Sequence, residues 1–134
     1  SHANEPVNYE MTPPAGGEHA GVWQNCGVYR QPVRSEQTVH SLEHGVVWIT
    51  YRPNLPAAQI AQLEQITSER DFVLLSPFPG LPGPVYASAW GYQVALDDAF
   101  DPRLEQFIAQ FEVGPTAPEP GAPCTGGDGD PLDR

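Results

Sequence analysis

The sequence contains no lysine: its six basic residues are all arginine, set against 17 acidic ones, for a net charge of -11. A surface of that sign repels nucleic-acid phosphates and anionic lipid headgroups, which excludes both as natural partners. A diffuse acidic field of this kind serves solubility first and attracts cations only weakly. Cysteine is equally scarce. Cys26 and Cys124 stand almost a chain length apart, and neither belongs to a CxxC or CxH pair, so the cysteine spacing typical of metal sites is absent. No apolar run approaches the roughly 20 residues of a membrane-crossing helix. A serine nucleophile elbow, a phosphate loop and a dinucleotide fingerprint are absent too, and neither cysteine has a histidine beside it in sequence to activate it.

What the two cysteines do suggest is a disulfide between Cys26 and Cys124. It would tie a flexible tail to the amino-terminal half and stabilise by roughly 4 kcal/mol through loop closure. Such a bond implies an oxidising compartment, so the chain is expected to be extracytoplasmic: secreted, periplasmic or membrane-anchored. Ser1-His2-Ala3 reads as the remnant of a purification tag, which sets His2 aside, and a signal sequence or single membrane anchor is expected upstream.

At 134 residues the chain suits one domain, expected over 1–115, followed by a Pro/Gly/Asp-rich tail over 116–134 pinned only at Cys124. From Glu5 to about Gln37 the composition predicts ordered loop with short strands, and no packed helix. Val46 to Tyr51, β-branched and aromatic throughout, predicts a buried strand. Asn54 and Pro56 can open a helix running to about Arg70, with Ile60, Leu63 and Ile66 on its apolar side. Phe72 to Leu75 predicts a short strand, and Pro77 to Pro84 a surface loop. Val85 to Trp90 and Tyr92 to Leu96 predict a strand pair bent at Gly91. Asp101 as N-cap and Pro102 as first residue begin a second helix carrying Leu104, Phe107, Ile108 and Phe111, stopped by Gly114-Pro115. The order implies an α+β fold: a mainly antiparallel sheet with two helices packed on one face and a long loop-rich N-terminal segment.

With His2 set aside, the remaining histidines all fall between His19 and His44, close to Met11, Glu18 and Glu43. Imidazole suits zinc and copper, thioether adds preference for Cu(I), and carboxylate favours harder ions. His40-Ser41-Leu42-Glu43-His44 matches HxxEH, the inverted zinc-peptidase motif, in which a helix presents two histidines to zinc and the glutamate is the base. Here Gly45 and the strand at Val46 follow at once, leaving room for one turn at most. That turn still points His40 and His44 to one side, where Glu43 can ligate or orient a ring. Trp23, Trp48 and Trp90, with Tyr9, Tyr29, Tyr51, Tyr86 and Tyr92, are expected to pack the core, and Asp97-Asp98 reads as a solvated turn.

The strings Pro13-Pro14-x-x-Gly17-x-His19, Cys26-Gly27-Val28-Tyr29, Val39-His40-Ser41-Leu42-Glu43-His44-Gly45 and Ala89-Trp90-Gly91 resemble the bacterial family catalogued as domain of unknown function 3105. The likeness covers most of the chain and is most specific in HSLEHG; Ala15-Gly16 stand where many members carry Thr-Ser. It implies a secreted or membrane-anchored protein and marks His19, His40, Glu43 and His44 as motif residues, without supplying a reaction.

The residues therefore lead to an extracytoplasmic metal-binding protein without catalytic residues. Copper is expected first and zinc second, with His19, His40 and His44 as ligands, Met11 as a fourth and Glu43 behind them. Its expected partners are the metal ion and another envelope protein that handles metal. Two other readings stand beside it: a zinc hydrolase with Glu43 as the base that activates water, and an envelope interaction domain whose histidines only brace a loop.

Overall fold

The computed structural model describes residues 11–132; the Ser1-His2-Ala3 opening, Glu5 and Tyr9 lie outside the described residues. Its elements run β1 (Gly27–Val28), α1 (Ser35–Glu43), β2 (Val47–Tyr51), α2 (Ala57–Ser68), β3 (Val73–Pro77), β4 (Val85–Ala89), β5 (Tyr92–Leu96) and α3 (Arg103–Phe111). The five strands form one sheet in the order β1-β3-β2-β4-β5. β4 is antiparallel to β2 and β5 to β4, whereas β1 and β2 both run parallel to β3. The fold is α+β and the sheet mostly antiparallel, as expected, with parallel pairing on its β1-β3-β2 side making it mixed. The cause is α2, which carries the chain back from the end of β2 to the start of β3, the kind of crossover a parallel pair requires.

All five residues of β2 and all five of β3 are buried, as befits central strands covered on both faces. Along β2 the side chains divide by the two-residue period of a strand. Val47, Ile49 and Tyr51 join one apolar cluster with Leu63 and Ile66 of α2 and Leu104, Phe107, Ile108 and Phe111 of α3. Val46 and Trp48 join a second cluster with Leu42 of α1, Leu74, Tyr29 and the two cysteines, with Trp90 packed against it. Trp48 Nε1 donates to Ser76 Oγ at 3.0 Å, which satisfies its one buried polar atom.

Three sequence-based boundaries need correction. Pro77 ends β3 instead of opening the following loop, and the β4 strand stops at Ala89, leaving Trp90-Gly91 as the hairpin turn, with Gly91 at φ +78°. The larger correction is α1: a nine-residue helix occupies 35–43, where loop and at most a single turn were expected. It carries little apolar character because it is packed under backbone. Ala20 and Gln24 N–H groups donate to the carbonyls of Glu36 and Gln37, and Ser41 Oγ both donates to Gln24 O at 2.6 Å and accepts from Gln24 N–H at 3.0 Å. A helix buried against polar backbone needs polar side chains, so it shows no hydrophobic stripe.

The segment after residue 115 is held at more than Cys124. Besides the Cys26–Cys124 disulfide, with Cα atoms 5.4 Å apart, Asn25 N–H donates to Asp128 O and Asp128 N–H to Trp23 O. Glu119 and Gly121 N–H groups donate to Glu43 O and His44 O. The irregular tail thus meets its backbone bonding requirement against the amino-terminal loop and the end of α1.

Two outcomes follow from this packing. Replacing both cysteines by alanine should destabilise the chain by about 2–5 kcal/mol, read by urea unfolding, because the bond closes a loop of 98 residues' separation. Gly45→Ala should cost about 1–3 kcal/mol in the same assay. Gly45 sits at φ +97°, and an added Cβ would stand 2.8 Å from the Val113 Cα.

Candidate metal centre

The end of α1 supplies the centre of the site. His40 lies in its last turn, Glu43 is its final residue, and His44 follows as the C-cap at φ -82°, ψ 0°, so positions i, i+3 and i+4 share one side. These three residues each offer a ligand atom, and the three atoms lie within 4.8 Å of one another. His19, fully buried in the loop before α1, completes the group. Its ring centroid is 5.1 Å from that of His40, and the His40 and His44 centroids are 4.7 Å apart. The structure therefore brings together His19, His40, His44 and Glu43. Met11 lies on the preceding loop and is 46 % exposed.

All three rings are held the same way. Nδ1 of His19 meets Gly17 O at 2.8 Å, that of His40 meets Ala20 O at 2.7 Å, and that of His44 meets Pro123 O at 2.7 Å. A carbonyl oxygen only accepts, so each Nδ1 carries a proton and donates it. In the neutral ring the lone pair then resides on Nε2, which is the arrangement a metal ligand requires. Burial pushes His40 below the usual histidine range, reinforced by His44 and His19 and opposed by the Ala20 bond and Glu43. The neutral form, with its available lone pair, is thereby favoured at His40.

Each Nε2 faces a carboxylate. His19 Nε2 is 3.4 Å from Glu43 Oε2, and His40 Nε2 is 3.6 Å from Glu43 Oε1. His44 Nε2 is 3.7 Å from Glu119 Oε1. Trp23 stands edge-on to the His40 ring at 5.8 Å and tilted to the His44 ring at 5.3 Å, and Trp90 stands edge-on to His19 at 5.7 Å. The indoles enclose the imidazoles in low-dielectric surroundings, where charge–charge and ion–ligand terms strengthen.

A family model described as "Protein of unknown function (DUF3105)" matches residues 1–126. The chain belongs to this family. No curated protein and no solved structure matches it. All four clustered residues of the DUF3105 chain, together with both cysteines, fall within the matched span.

Sequence reasoning missed Glu119, the Gly17, Ala20 and Pro123 carbonyls, and the roles of Trp23 and Trp90. Glu119 sits in a Pro/Gly-rich tail more than 70 residues from His44, without a local motif to mark it. Carbonyl partners carry no side-chain signature at all. Trp48 packs in the core and Trp90 against it, as expected, whereas Trp23 is only partly buried outside both clusters, and Trp23 and Trp90 both pack on histidine.

Ser41 is the hinge between α1 and the loop that carries His19. Ser41→Ala would leave the Gln24 carbonyl without its donor and the Gln24 N–H with the Gln37 carbonyl alone, at a cost of about 1–3 kcal/mol in chemical unfolding. A valine there should do no better, because the lost hydroxyl is what pairs the backbone.

Proposed function

We propose that this chain is an extracytoplasmic metal-binding protein whose ion is held by the Nε2 atoms of His40, His44 and His19 together with Glu43. One observation carries the reading: the Nε2 atoms of His19 and His40 face the two carboxylate oxygens of Glu43 at 3.4 and 3.6 Å. With neutral rings, two acceptors at that separation repel unless a proton or a metal cation lies between them. With metal–ligand bonds of about 2.0–2.2 Å and tetrahedral angles, neighbouring donor atoms stand roughly 3.3–3.6 Å apart. The two spacings to Glu43 therefore suit a bound ion better than they suit direct hydrogen bonds, which run about 2.7–3.2 Å.

Copper is the ion we favour, with zinc second. A nitrogen-rich set with carboxylate suits divalent ions, and for such donors Cu(II) binds more tightly than Zn(II). Met11 is the residue whose thioether would add affinity for Cu(I). The disulfide supports an oxidising, extracytoplasmic setting, and the natural recipient of the ion is another envelope metal-handling protein. No described helix is long and apolar enough to cross a membrane.

Glu43 also favours a second reading, a zinc hydrolase in which it acts as base, since its side chain is 15 % exposed beside two imidazoles. The burial of all three rings argues for binding over turnover, because a substrate of any bulk must reach an ion enclosed by His19, His40, His44 and two indoles.

Protein purified without a histidine tag should hold about one equivalent of copper by elemental analysis, and titration with Cu(I), Cu(II) and Zn(II) should rank them. A His40→Ala/His44→Ala variant should lose that binding. Zinc binding with turnover abolished by Glu43→Gln would favour the hydrolase. A folded parent that binds none of these ions would leave the histidines as loop braces in an interaction domain.

A further inference from the structure

The buried imidazoles pose a problem of access. His19, His40 and His44 are all 5 % exposed or less, yet an ion that is to be delivered must cross from solvent to these rings and back. One donor near them is both anionic and open: the Glu119 side chain is 59 % exposed and its Oε1 stands 3.7 Å from His44 Nε2.

We propose that Glu119 is a further ligand of this site, the outer one, through which the ion passes between solvent and the imidazoles. The assignment rests on the metal-binding reading above. Glu119 does not drift near the cluster by accident of a loose tail. Its N–H donates to Glu43 O at 2.9 Å, the Gly121 N–H two residues on donates to His44 O at 3.0 Å, and Ala122 N–H closes a turn onto Glu119 O at 3.2 Å. Pro123 then gives its carbonyl to the same His44 whose Nε2 faces Glu119. One short segment thus sets the tautomer of His44 from one side of the ring and presents a carboxylate to its donor atom on the other.

The backbone is anchored while the carboxylate remains in solvent, which is what a carrier ligand needs: a fixed pivot and a mobile charged end. An exposed carboxylate is hydrated and binds an aqua ion without the desolvation cost that the buried rings impose. It can then exchange water for His44 Nε2 one ligand at a time. Glu43, at 15 % exposure and shared between His19 and His40, is placed to retain the ion and not to capture it.

The test follows Zn(II) uptake by the full disulfide-bonded chain in stopped flow, with release to a chromophoric chelator, for the parent, Glu119→Gln, Glu119→Asp and Glu105→Gln. Glu105 is an exposed α3 residue whose replacement removes the same charge elsewhere. Expected is a Glu119→Gln uptake rate lower by about tenfold or more, slowed release, stoichiometry unchanged, partial recovery in Glu119→Asp and parent-like rates in Glu105→Gln. A Glu119→Gln chain that takes up and releases zinc at the parent rate overturns the assignment while leaving the metal site standing, as does an equal loss in Glu105→Gln, which would mark a general charge effect. A parent that binds no zinc or copper overturns the metal reading and this inference with it.

Discussion

Irregular backbone that is buried must still find partners for its N–H and C=O groups, and much of this protein's architecture answers that requirement. Two loop-like segments, the one before α1 and the one after residue 115, lie across a helix and a central strand instead of over open surface. Three of their carbonyls, Gly17, Ala20 and Pro123, take histidine Nδ1–H groups. The same three bonds that satisfy the loops also orient the rings and, in the neutral form, leave the lone pair on Nε2. Loop structure and imidazole orientation are therefore one arrangement. A change that loosens either irregular segment would alter ring orientation before it altered the sheet, which stands on the separate apolar cluster with α2 and α3.

The disulfide belongs to the same logic. It joins the two segments beside β1, with Cys26 N–H also donating to Cys124 O at 2.9 Å. Both cysteines pack with Leu42, Val46 and Trp48, directly under the end of α1. Clamping there fixes residues 119–124 relative to His44. Without such a clamp, a tail with no apolar stripe of its own could not hold a carbonyl and a carboxylate on opposite edges of one imidazole, because its few backbone bonds alone offset little chain entropy.

Much of the fold was legible in the sequence where apolar periodicity dictated it: β5 matches its predicted bounds, α3 lies within a residue or two of them, and α2 falls inside its predicted range. The parallel half of the sheet was legible in principle, since Val46 to Tyr51 and Phe72 to Leu75 are unbroken apolar runs, the mark of strands buried on both faces. The pattern of short strands and turns was read as mainly antiparallel, which holds for the β2-β4-β5 side, while the parallel pairing of β3 with β1 and β2 went unread. α1 was illegible because Gln37, Thr38, His40 and Ser41 are buried polar residues facing loop backbone, so the usual hydrophobic stripe is missing. The site shows the same divide. His19, His40, Glu43 and His44 were found because they cluster in sequence, whereas Glu119 depends on how the tail is laid down.

Position along α1 also explains why the acid and the histidines do different work. A helix C-terminus carries partial negative charge on its last carbonyls, which favours a cation nearby and opposes a carboxylate. Glu43 as the last helical residue and the backbone oxygens of Glu43 and His44 all place negative character at one end. The tail relieves part of it by giving the Glu119 and Gly121 N–H groups to those two carbonyls. The remaining negative character comes from Glu43 and Glu119, converging on imidazoles whose neutral form is favoured at His40. Arg30, Arg70 and Arg103 are paired with Glu64, Glu112 and Asp101, away from this end of the helix, so they leave its negative character in place.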